Sequence, residues 1–116
     1  MLVLNKHRDA PTLQFAQSVR TIDWLRVELL NQTANLFKGI HRANQHFVLD
    51  SLSSLLISSY VLGRQLGFSF AELDKTVKQK LKEHVYSGHK LEEWYGSLSE
   101  MEEYFNKRLD LLNRTE

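Results

Sequence analysis

Cysteine is absent from the 116 residues, and proline occurs once, at Pro11. The first absence excludes disulfides, thiolate zinc sites, iron–sulfur clusters and cysteine nucleophiles together. The second, with only five glycines, argues against a β-sandwich or barrel, whose many turns need Gly and Pro. An excess of one charge is also missing, with 15 Lys and Arg against 14 Asp and Glu. That balance gives no electrostatic reason to expect nucleic acid or an anionic membrane as partner. Long apolar runs are missing too. The longest uncharged stretch, Ser51 to Gly63, holds 13 residues, five of them serine, short of the roughly 20 needed to cross a bilayer. Met1-Leu2-Val3-Leu4 gives way at once to Asn5, Lys6, His7 and Arg8, too short a run for a signal peptide. The expectation is a soluble, cytoplasmic protein.

What is present is ordinary for a folded chain: 42% hydrophobic and 25% charged residues. A chain of this length buries roughly 65% of its unfolded surface, a thin core that burial between subunits would improve. The recurring pattern is helical spacing. The first helix is expected from about Thr12 to Phe37, with Val19, Ile22, Leu25, Leu29 and Leu36 on its apolar face and Lys38-Gly39 at its end. The second is expected from about Arg42 to Leu66, striped by Val48, Leu52, Leu55, Leu62 and Leu66, widened by Leu49 and Leu56, and ended by Gly67. That width marks it as the central helix. Ser69 with Glu72 forms a capping box for the third, which carries Phe70, Leu73, Val77, Leu81 and Val85 and stops near Gly88. Ser97 with Glu100 forms a second box after Gly96, opening a helix with Leu98, Met101, Phe105 and Leu112 on its apolar face and Tyr104 and Leu109 beside them. His89 to Tyr95 is a connector anchored by Trp94 and Tyr95. Short connections favour antiparallel neighbours, hence an all-α four-helix bundle over residues 1–116, with its core at about 12–87 and a connector and last helix at 88–112. Apolar positions this numerous point to a homodimer or homotetramer.

No phosphate-cradling glycine loop, nucleophile elbow or His-Glu-x-x-His motif is present. The polar material lies on helices that otherwise look buried. Glu28, Asn31, Gln32 and Asn35 share one face of the first helix; Asp50, Ser54 and Ser58 share one face of the second, with Ser53 beside them. Each stripe reads equally as a solvated helix face or as a site. Against the first reading, the stretch from Phe47 to Leu62 is too apolar for a wide wet face, and a lone buried Asp50 is costly unless paired or bound to a cation. Carboxylates on facing helices are a standard cation cradle, and Mg²⁺ takes oxygen ligands together with substrate phosphates. His46, four residues before Asp50, is a weaker candidate ligand, better suited to Zn²⁺ or Ni²⁺. Trp24 reads as a packing anchor or a base-stacking platform. Lys75, Lys78, Lys80 and Lys82 read as a solvated face or a phosphate-attracting one.

Leu49-Asp50-Ser51-Leu52, then Tyr60-Val61-Leu62-Gly63-Arg64-Gln65-Leu66-Gly67, then Glu72-Leu73, resembles the second metal helix, exit and following helix of the MazG-like all-α nucleoside triphosphate pyrophosphohydrolases. The resemblance runs from Leu25 to His84. Members of that family cleave nucleoside triphosphates, or related nucleotides, to monophosphate and pyrophosphate with Mg²⁺, and are usually dimers or tetramers. Their motif is Glu-x-x-Glu, a gap, then Glu-x-x-Asp. By position, Glu28 and Asp50 match it, Asn31 stands for the second glutamate and Phe47 for the third. Lys80 takes the place of a phosphate-facing lysine, and His84 that of a common asparagine. The resemblance thus implies Glu28 and Asp50 as catalytic metal ligands with Asn31 assisting, and Lys80 and Asn31 toward a nucleotide; Trp24 joins them only by its own reading as a base-stacking platform. With two of four carboxylates replaced, two functions are open: a Mg²⁺-dependent nucleotide pyrophosphohydrolase, or a catalytically silent helical oligomer that binds a nucleotide, another protein or itself.

Overall fold

The computed structural model describes the backbone of residues 2–88, 93 and 96–115 and the side chains of 14–88, 93 and 96–108. Four helices are described: α1 (Leu2–His41), α2 (Gln45–Gln65), α3 (Phe70–Tyr86) and α4 (Ser97–Thr115). There is no strand among the described residues, so the protein is all-α as its spacing requires. The chain divides into two compact units, Met1–Phe70 and Ala71–Glu116.

In the first unit α1 is 40 residues long, about 60 Å, and outruns its expected limits at both ends. It continues past Gly39, which the sequence marks as a stop. The reason is tertiary. Gly39 is buried, and a Cβ there would lie 2.9 Å from Val48 Cγ2, 3.0 Å from Phe47 Cδ1 and 3.3 Å from the Val48 backbone nitrogen. The missing side chain lets α2 approach, which outweighs the helix penalty of glycine. The turn comes at Ala43, whose φ is 54°. The Asn44 N–H donates to the Gly39 carbonyl at 3.0 Å and the Ala43 N–H to that of Ile40 at 3.1 Å, a Schellman closure. Asn44 also opens α2. Its side chain accepts from the Phe47 N–H at 3.1 Å, so α2 begins at Gln45 rather than Arg42. The far end of α2 closes in the same way around Gly67 at φ 101°, with the Phe68 N–H donating to the Gly63 carbonyl at 2.9 Å.

The helices run antiparallel. Gly39 meets Phe47 and Val48 at one end, and the Ser18 hydroxyl donates to Gln65 Oε1 at 3.1 Å at the other. The register that sets Gly39 against Phe47 puts Asn35 level with Ser51, Gln32 with Ser54 and Glu28 with Ser58. Ser51 and Ser58 are buried, at 1% and 6% exposure; Ser54, Glu28, Gln32 and Asn35 are half-buried. The helix contact is therefore a polar seam of three matched layers, flanked by buried Leu25. By length and composition α2 could cross a membrane; in this fold it lies along α1.

The expectation that α2 is a buried central helix is corrected. Leu49, Leu52 and Leu56 are exposed, and the buried side chains of α2 are Ser51 and Ser58. On α1, Phe15, Leu30 and Phe37 are exposed at 72%, 73% and 64%. A two-helix unit has one internal interface, and here that interface uses the narrow serine side of α2.

In the second unit α3 follows Ser69 directly and buries Leu81 and Asp74. Gly88, at φ 73°, lies just past its end. In α4 the Glu100 N–H donates to the Gly96 carbonyl at 3.1 Å, so the helix is entered one residue before the expected Ser97 cap. Phe105 is buried, with the Tyr104 ring edge-on at 6.1 Å. His89, Trp94 and Tyr95, and the side chains of Leu109 and Leu112, lie outside the described residues.

Candidate functional site

Each residue of an α-helix turns about 100°, so the seam fixes what lies on either flank. On α1, Phe15, Val19, Leu30 and Phe37 fall on one flank and Trp24 and Asn31 on the other. On α2, Leu49, Leu52 and Leu56 fall on one flank and His46, Asp50 and Ser53 on the other. Because the helices are antiparallel, the two apolar flanks share one long side of the hairpin and the polar flanks share the opposite side. Val27 and Ile57 are exposed apolar exceptions on the polar side.

Glu28 and Asp50 therefore belong to the same side, but at different heights. Glu28 is level with Ser58 and Asp50 with Leu36, an offset of about eight residues or about 12 Å along the axis. Glu28 is half-buried, and its Oε1 accepts from Gln32 Nε2 at 2.9 Å. Asp50 is exposed and makes no hydrogen bond or ion pair among the described residues, which corrects the expectation that an apolar helix would bury it. The residue of α1 level with Asp50 is an amide or a leucine, Asn35 or Leu36, rather than Glu28. Asn31 is exposed, and Trp24 is 63% exposed. Lys80 is exposed on α3, in the second unit.

Phe47, in the place of a third carboxylate, packs toward Gly39 at the corner. Its ring has a steric task there and offers a cation nothing. His46 is exposed one turn from Asp50. Among the described residues, no group of three or more His, Asp or Glu side chains could hold a metal ion. Mg²⁺ needs several oxygen ligands about one point, and this donor set does not provide them.

Two features escaped the sequence reading. Ser51 is the most buried side chain among the described residues at 1% exposure, its hydroxyl donating to the Phe47 carbonyl at 2.9 Å. The cue was available, because Ser51, Ser54 and Ser58 follow a three–four spacing. The second feature is a cavity of about 330 Å³ at the turn end of the apolar side, lined by Gly39, Ile40, Ala43, Val48, Leu49 and Leu52 with Gln45. No sequence signal marks it, since it depends on Gly39 drawing the helices together.

Comparison with known proteins places residues 15–98 on the model of the MazG-like family. No curated protein and no solved structure matches the chain.

Proposed function

The chain belongs to the MazG-like family, and within it we propose a catalytically silent helical module that works by self-association. The family model covers most of the chain and makes a nucleotide pyrophosphohydrolase ancestry its natural background. What carries the proposal is the register set by Gly39 against Phe47 and Val48, which leaves the backbone levels of Glu28 and Asp50 about 12 Å apart along the axis. A cation shared by two carboxylates needs them within a few ångströms of one point. Two further features support the reading. Asn31 and Phe47 occupy the places of the other two acids, and Phe47 is committed to packing against Gly39. The apolar side of the hairpin, meanwhile, is left to water in a single copy, which is the signature of an interaction surface.

The rival reading is Mg²⁺-dependent cleavage of a nucleoside triphosphate to monophosphate and pyrophosphate. Glu28 and Asp50 would hold the ion, Asn31 and Trp24 would contact the nucleotide, and Lys80 would neutralise phosphate charge. Its one favouring observation is that Glu28 and Asp50 share the polar side. Pyrophosphate release from a panel of nucleoside triphosphates, with Mg²⁺ or Mn²⁺, separates the two. The expected result is no release above blank, with the protein a dimer or larger by sedimentation. Release that Asp50→Asn abolishes would establish the enzyme instead.

A further inference from the structure

The corner of the hairpin is graded from polar to apolar along α2. The cavity of about 330 Å³ lies beside the close approach at Gly39, between Ile40 of α1, Ala43 of the turn and the α2 residues Gln45, Val48, Leu49 and Leu52. Those four follow at steps of three, one and three, a single stripe two turns long, about 10 Å. Gln45 supplies the only polar side chain of the lining, and it opens α2. Beyond it the α2 lining is hydrocarbon. The volume falls at the lower end of the range of small-molecule sites, about 300–1,000 Å³.

Charge around the polar end has one sign. From Leu29 to Leu49 the chain has no carboxylate, while Lys38 and Arg42 are cations within that stretch. Both are exposed, and neither pairs with an acid among the described residues. The backbone adds to the same sign. In the last turn of α1 the carbonyls of Lys38, Gly39 and Ile40 already accept from the N–H groups of Arg42, Asn44 and Ala43. At the start of α2, Asn44 takes the N–H groups of Phe47 and Val48, and no acid stands in the first turn. The N–H groups of Gln45 and His46 donate to nothing among the described residues. Acceptors are thus used and donors left over where the cavity is polar.

We propose that this cavity binds a medium-chain carboxylate. Its acyl chain lies along Val48, Leu49 and Leu52, and its head group meets the first turn of α2 and the Arg42 guanidinium. A purely apolar ligand would leave the donors and cations unanswered. A small hydrophilic anion would leave Ile40, Leu49 and Leu52 to water, at 58%, 65% and 43% exposure. A molecule with both parts answers both ends. A carboxylate suits the head because its two oxygens accept from several donors at once, a guanidinium among them. The site belongs to one hairpin and lies on the side opposite Glu28 and Asp50, so the inference stands apart from the self-association reading.

The test is a titration of the isotope-labelled full chain, followed amide by amide in nuclear magnetic resonance spectra. Octanoate is expected to give saturable shifts confined to Gly39, Ala43 and the stretch from Gln45 to Leu52. Octanol, the same chain without the charge, is expected to bind there about tenfold more weakly, the worth of one charge-assisted hydrogen bond. Acetate, the charge without the chain, is expected to shift none of these amides. Arg42→Gln should lower octanoate affinity toward that of octanol and leave octanol unchanged. Leu49→Asp, at an exposed position, should keep the helical circular dichroism and abolish binding of both. Octanoate shifts that fail to saturate, or that spread equally over Phe15 to Leu30, would overturn the proposal. So would octanol or acetate binding as tightly as octanoate, or full octanoate affinity in Arg42→Gln.

Discussion

The two long sides of the α1–α2 hairpin come from the same two helices and meet along the same seam, yet they handle water in opposite ways. One carries Phe15, Leu30, Phe37, Leu49 and Leu56, all exposed. The other carries Trp24, Asn31, Ser53 and Asp50, also exposed, with Glu28 and Asn35 half-buried at the seam. At about 25 cal/mol per Å², the apolar side holds stabilisation that a single copy leaves unused. The polar side holds less of that kind, in Trp24, Val27 and Ile57, and the register sets its two acids about eight residues apart along the axis. The contrast teaches that acidic residues at motif spacing are not a site until the helix register brings them level. Here register brings level Glu28 and Ser58, Gln32 and Ser54, Asn35 and Ser51.

The comparison can be broken at the seam that joins the two sides. Gly39→Leu drives a side chain into Val48 and Phe47 and should cost on the order of 2–3 kcal/mol, read as an earlier chemical-denaturation midpoint with unchanged helix content in the native baseline. A milder loss would mean that the helices part easily at the corner, and that the cavity beside Gly39 is soft.

The comparison is sharpened by placing the same charge on either side. Leu56→Lys on the apolar side should weaken self-association at least tenfold, about 1.4 kcal/mol. Ser53→Lys on the polar side should leave it unchanged. Equal effects in sedimentation would erase the distinction between the sides.

Smaller again is the strain at the turn. Ala43 holds a left-handed φ of 54°, a conformation that favours glycine by about 1 kcal/mol. Ala43→Gly should therefore raise the melting temperature by several degrees, and a fall would show that the side chain contributes contacts there. The smallest expected change is at Asp50. Because the residue is exposed, Asp50→Leu should alter stability by no more than about 0.5 kcal/mol. A large rise in melting temperature would return Asp50 to a buried, unpaired environment.

The helices themselves were legible. Gly67 and Gly88 lie just past the ends of α2 and α3 as their spacing requires, and α3 opens after Ser69. Gly39 was misread because glycine has two uses, ending a helix or admitting a neighbour, and only the neighbour distinguishes them. Asp50 was misread because an apolar helix implies burial on average, whereas its own position on the α2 wheel points away from α1. Of the two buried serines, Ser58 was seen as part of the Asp50–Ser54–Ser58 stripe, whereas Ser51 entered only through the family motif.

Local chemistry thus settles, from residue order alone, that this chain is helical, where most of its turns fall and which family it joins, since periodicity, capping and glycine dihedrals act within a few residues of each other. Whether Glu28 and Asp50 act together, which face of α2 is inward and what Gly39 is for depend on side chains distant in sequence. Those answers follow from the height and rotation at which two antiparallel rods lock, a property that no stretch of either rod contains by itself.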